Sequence, residues 1–166
     1  MNKGKFVIVT MVAIGLAMAV FAWWARYEAS QRVLERFGPQ VAVAVRKGQR
    51  VELLTLSQSK PADESSLEIL SVGDEQLYVS SSQEIADAPG LIHARHHLLH
   101  EKGFHWDEPP STTPPNWTRA LRFSHDEGVA TWILDFTDNR AFIVERKAEV
   151  GMAPIAPALK KFLDEL

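Results

Sequence analysis

Arg119–Glu145 reads RALRFSHDEGVATWILDFTDNRAFIVE. Three runs rich in β-branched and aromatic residues are separated by turn formers, the pattern of strands joined by tight connections. Arg119–Ser124 is expected as a strand, His125–Gly128 as a turn, Val129–Phe136 as a second strand, Thr137–Arg140 as a turn and Ala141–Glu145 as a third strand. Connections this short join antiparallel neighbours. Along the middle strand Trp132, Leu134 and Phe136 point one way, and Ile133 puts an apolar side chain on the other face. That strand is expected to be covered on both sides.

Outward from this core the pattern changes. Pro157 suits the first turn of a helix, and Ile155, Leu159, Phe162, Leu163 and Leu166 form one apolar stripe that packs on the sheet. Upstream, four prolines in the seven residues Pro109 to Pro115 favour an extended, solvated loop. Val51–Leu56, Leu67–Val72 and Gln76–Ser80 read as strands, and Ser57–Ser66 as a polar loop. Val41, Val43 and Val45 alternate as in a strand, but Pro39 fits a helical first turn, Arg46 and Lys47 a last turn, and Gly48 the position beyond it. Helix is the preferred reading there. Ser81-Ser82-Gln83-Glu84 resembles a capping box that opens a short helix before Pro89-Gly90, and a further helix runs from Gly90 to about Lys102, closed by Gly103. The expected fold is α+β: an antiparallel sheet of about five strands with helices mainly on one face.

The N-terminal end is of another kind. Phe6–Trp24, FVIVTMVAIGLAMAVFAWW, has nineteen residues and no charge. At ~1.5 Å per residue a helix of that length spans about 28 Å, close to the ~30 Å hydrocarbon core of a bilayer. Lys3 and Lys5 flank one end, and Trp23, Trp24, Arg26 and Tyr27 the other, as an interfacial belt does. The expected organisation is a short tail (1–5), a transmembrane anchor (6–24), a membrane-proximal helix (25–38) and a soluble domain (39–166). Ala17-Met18-Ala19 matches a signal-peptidase pattern, so a cleaved signal peptide is the competing reading, although cleavage would leave the apolar VFAWW as a new terminus. The expected location is the inner membrane of a bacterial cell, single-pass, with the tail inside and the domain outside.

Beyond the anchor, 16 basic residues stand against 21 acidic ones, a formal charge of −5. An acidic domain does not suit a phosphate backbone, so nucleic acid is not an expected partner. The chain has no cysteine, which excludes disulfides, zinc–thiolate sites, iron–sulfur clusters and thiol catalysis. It has no P-loop, no G-x-G-x-x-G and no G-x-S-x-G elbow.

The stretch GLIHARHHLLHEK, 90–102, holds four of the six histidines: His93, His96, His97 and His100. On a continuous helix they fall within roughly 100° of arc. His93/His97 and His96/His100 are i, i+4 pairs, the spacing at which two imidazoles share a metal ion, and His105, Asp107, Glu108 or His125 would have to complete a zinc-type site. The plainer reading is the wet side of an amphipathic helix. Arg95 lies in the apolar arc among Leu91, Leu98 and Leu99, so it needs a partner, with Asp135, Asp107 and Glu52 as candidates. Its alternative role is to bind an anion. Phe104–Glu108 follows, where His105, Trp106 and Asp107 either rim a cleft or accompany aromatic packing onto the core. The leading expectation for function is a non-enzymatic accessory or binding protein with a protein partner. The rival is a metal-binding, hydrolytic domain built on the histidine helix.

Overall fold

The computed structural model describes residues 3–60, 68–106 and 112–166. Helix α1 runs unbroken from Lys3 to Phe37. Within it Phe6–Ala25, 20 residues with none of the stretch buried in the protein, is long and apolar enough to cross a membrane. A signal sequence has the same features. The helix continues past the apolar run and enters the domain. Val33 and Phe37, one turn apart, are buried in the main core. Gly38 then takes φ +81°, a region glycine favours, and redirects the chain into α2, Pro39–Lys47. A Cβ at Gly38 would also stand 3.3 Å from the Arg146 guanidinium.

The signals at α2 fall as the sequence suggests. Pro39 is in the first turn, Arg46 and Lys47 are in the last, and the Gly48 N–H donates to the Ala44 carbonyl at 2.8 Å. After it come β1 (Arg50–Ser57), β2 (Ile69–Val72), β3 (Glu75–Glu84), α3 (Leu91–Leu98), β4 (Arg119–His125), β5 (Gly128–Asp135), β6 (Arg140–Ile143), β7 (Ala148–Gly151) and α4 (Ala156–Asp164). Among the described residues the strands form one antiparallel sheet in the order β2-β3-β1-β4-β5-β6-β7.

Seven strands replace the expected five or so. β7 is a four-residue edge strand, Ala-Glu-Val-Gly, whose own pattern is too short to read; pairing of Val150 with Ala141 of β6 creates it. The expected helix at Ser81–Glu84 is also corrected. Ser81 and Ser82 pair with Thr55 and Leu54, so these residues prolong β3. The Glu84 carboxylate, expected to cap its own helix, accepts the Val51 N–H at 3.0 Å and pairs with Arg50 at 3.1 Å. Long-range pairing here outweighs a local capping signal.

Two apolar clusters lie on the two faces of the sheet. The outer face, with Val51, Leu53, Leu121, Phe123, Trp132 and Leu134, packs beneath residues from all four helices. The inner face carries Leu54, Leu56, Leu77, Ile133 and Phe142, together with Trp117. The sheet covers this second face by curling, which brings β2 at one edge against the 3₁₀ turn Val144–Arg146 that follows β6. Ile133 therefore is buried opposite Trp132, as its position in a doubly apolar strand suggests.

A buried ion pair closes one end of the inner face. Asp135 and Arg140, paired in register across the β5–β6 hairpin, meet at 3.1 Å with side chains only 1% and 5% exposed. Arg140 also donates to the Thr113 carbonyl at 2.7 Å and lies over the Trp117 ring, 5.6 Å from its centroid. Asp135 accepts N–H groups from Asn116 and Thr137. The pair thus ties the chain that follows the proline-rich loop to the sheet. Burial alone would raise the Asp135 pKa; the N–H donors of Asn116 and Thr137, with Arg140 and the Asp138 N–H, outweigh it and hold the carboxyl below the usual range.

Candidate functional site

Helices α3 and α4 lie side by side on the outer face of the sheet, and a concavity opens at their junction. α3 begins after Gly90, which takes φ +90° and offers no side-chain cap. It buries Leu91, Ala94 and Leu98. It ends at Leu98, four residues short of the expected limit. The N–H groups of Leu99 and His100 donate to carbonyls three residues back, which tightens and closes the last turn. The 3₁₀ turn Glu101–Gly103 then folds against both helices. A Cβ on Gly103 would stand 2.8 Å from the His97 carbonyl oxygen and 3.0 Å from Ile155 Cγ2. Glycine permits that approach. On the far side Arg119 of β4 pairs with Asp164 at 2.7 Å and holds the end of α4 to the sheet.

Between the two helices opens a cleft of ≈ 280 Å³. Ala94, Leu98, Leu159 and Phe162 supply its apolar lining, and the uncapped start of α3 at Gly90 contributes one wall. Its rim is polar: His93 and His97 come from α3, Lys161 from α4 and Glu165 from the position just past its end. Lys161 and Glu165 are 3.8 Å apart and largely solvated, 78% and 66% exposed. Such a pair is worth little and is readily exchanged for another partner.

The structure divides the four histidines. His93 and His97 border the cleft, whereas His96 and His100 are not among its lining residues. His100 has left the helix for an extended conformation, and its Nδ1 accepts the Lys102 N–H at 3.2 Å. It therefore forms no helical i, i+4 pair with His96, although the two rings remain 5.5 Å apart. Among the described residues no three of His, Asp and Glu are grouped to hold a metal ion. Asp107 and Glu108 lie outside the described residues.

Arg95 is half-buried and takes no carboxylate partner among the described residues. Its guanidinium donates to the carbonyls of Gly48 at 2.7 Å and Arg46 at 3.2 Å, so it caps the end of α2. It also lies over the Phe123 ring at 5.7 Å. Of the three expected partners, Asp135 is committed to Arg140, Glu52 to Arg50 and Ser82, and Asp107 lies outside the described residues. Partial burial pushes the Arg95 pKa below the usual arginine value.

His105 and Trp106 are not among the residues that line the cleft. The His105 N–H donates to the Gly151 carbonyl at 2.9 Å, an isolated bridge to the β7 edge. Trp106 is half-buried, with its indole N–H on the Glu101 carbonyl at 2.9 Å and its ring 5.3 Å from Phe37. The aromatic run thus packs on the core. Lys161 and Glu165 escaped the sequence reading. Their spacing of four marks them as one face of α4, but only the angle at which α4 lies on α3 turns that face toward His93 and His97. No protein-family model, curated protein or solved structure matches the chain.

Proposed function

We propose that this chain is a single-pass, membrane-anchored binding protein, a non-enzymatic accessory of the bacterial envelope that engages its partner through the α3–α4 cleft. The observation that carries the reading is the continuity of α1. None of the described residues covers Phe6–Ala25, and an exposed apolar surface of that size calls for a bilayer or another apolar partner. The same helix then becomes a core element through Val33 and Phe37. Val33 lies eight positions beyond Ala25, roughly 12 Å of helix. The domain is held at a fixed, short height above the membrane rather than on a flexible tether, which suits contact with a membrane partner. Lys3 and Lys5 on one side nearly balance Arg26, Arg32 and Arg36 on the other, and a short tail ahead of a long domain favours the tail inside and the domain outside.

The cleft suits recognition. It combines an apolar floor with a few polar groups at the rim. Among the described residues neither the His93 nor the His97 imidazole has a hydrogen-bond partner to orient it as a general base. The lack of native cysteine makes the test clean. A Ser80→Cys reporter in otherwise native protein should resist alkaline extraction from membranes and react with an impermeant maleimide added to spheroplasts. Extraction into the soluble fraction removes the anchor; labelling only after lysis reverses the orientation. In-membrane photo-cross-linking from position 89 at the cleft should give a discrete adduct, and recovery of free monomer alone counts against the binding role.

A further inference from the structure

We propose that the α3–α4 cleft binds a small amphiphilic carboxylate: a hydrocarbon body seated on the apolar floor, with its single carboxylate at Lys161. The proposal rests on the reading of this cleft as the binding site and names what enters it. The charge distribution is the argument. The domain carries a net −5 beyond the anchor, yet the cleft rim gathers an ammonium and two imidazoles against one carboxylate, Glu165. The start of α3 at Gly90 opens into the same space without a side-chain cap, so the positive end of that helix adds to the potential there. At this rim an anionic group meets the Lys161 ammonium and the N–H donors of His93 and His97, whereas a cation meets only Glu165.

The Lys161–Glu165 geometry gives the anion its place. At 3.8 Å, with both groups mostly solvated, the ammonium is loosely held and free to accept a second carboxylate. Size sets the body. At ~30 Å³ per water-sized group, ≈ 280 Å³ holds about nine non-hydrogen atoms. A six-carbon carboxylate fits; a long acyl chain does not. The floor of Leu98, Leu159 and Phe162 offers hydrocarbon contact and gives no partner to further polar groups along the chain.

The test uses the full chain in phosphatidylcholine nanodiscs, with hexanoate as the probe, saturation-transfer NMR as the readout and empty nanodiscs as the blank. Hexanoate should bind saturably with a Kd on the order of 1 mM. Hexanamide, which has the same body without the charge, should bind more weakly. Lys161→Met should weaken hexanoate about threefold, and Glu165→Gln should strengthen it about twofold, the scale of exposed ion pairs. Ala158→Trp, at an exposed position on the cleft, fills it without disturbing the core and should abolish binding. Absence of saturable binding overturns the proposal. So does binding that survives Ala158→Trp, and so does equal affinity for hexanamide. If hexanoate fails while Ala158→Trp still removes the membrane cross-link, the carboxylate assignment falls and the binding reading stands. If the cross-link is also indifferent to Ala158→Trp, both fall.

Discussion

The ring of Phe37, the last residue of the 35-residue N-terminal helix, lies edge-on to Trp132 at 4.8 Å, in the middle of the sheet's outer face. One side chain therefore joins the long helix to β5, a strand buried from Ala130 to Asp135. Phe104 and Trp106 complete the aromatic cluster around it.

Truncation at this contact should be costly. Phe37→Ala removes a fully buried aromatic side chain and should destabilise the domain by about 3–5 kcal/mol. Leu34→Ala, at a 39% exposed position on the same helix, should cost less than about 1 kcal/mol. Urea unfolding followed by tryptophan fluorescence checks both. Equal effects would mean that the helix end does not belong to the core.

The Asp135–Arg140 pair makes a pH prediction. The folded-state pKa of Asp135 lies below its ordinary value of about 3.9, so its contribution is present above that value and is lost as pH falls through the folded pKa. Asp135→Asn should cost on the order of 3 kcal/mol at pH 7, because it leaves Arg140 buried without its closest carboxylate. Below about pH 4 the difference between variant and parent should shrink. Thermal melts from pH 7 to pH 2 measure it, and a constant difference across that range would exclude the linkage.

Arg95 should prove a structural cap. Arg95→Ala loses two hydrogen bonds to the α2 carbonyls and should destabilise by about 1–3 kcal/mol while leaving the domain folded. Arg95→Lys should recover only part, since an ammonium lacks the planar fork that reaches both oxygens. Hexanoate binding by Arg95→Ala nanodiscs should match that of the parent chain. A fold-preserving Arg95→Ala that loses hexanoate binding would return Arg95 to the ligand site.

Gly103 is the closest approach in the helix junction. Gly103→Ala places a methyl group 2.8 Å from the His97 carbonyl oxygen, and something must shift. A loss of about 1–3 kcal/mol is expected, with amide exchange in α3 and α4 accelerated before the rest of the domain. Hydrogen-exchange mass spectrometry reads this directly. Uniform acceleration would show that the junction is not a local weak point.

Much of the order of elements was legible from residue pattern. Pro39 and Gly48 bracket α2, Trp132 and Ile133 announce a doubly covered strand, and the Ile155–Leu163 stripe announces α4. The failures share one cause. Ser81–Glu84 carries a capping signal that pairing with β1 overrides, β7 exists only as a partner of β6, and the helix of His93 stops before His100 because the Glu101–Gly103 turn packs under it.

The sequence by itself determined the local choices: a charge-free stretch, Phe6–Trp24, long enough to span a bilayer as a helix, an acidic cysteine-free domain, turns at glycine and proline, and the faces of most strands. These follow from backbone sterics and apolar periodicity, which act within a few residues. Tertiary structure alone decided what covers the inner face, which carbonyls Arg95 caps, which carboxylate Arg140 meets, and that His93 and His97 share a cleft with Lys161 and Glu165. Those outcomes depend on the curl of the sheet and the seating of α3 against α4. Both are set by packing between residues far apart in the chain, and no short stretch of sequence carries that information.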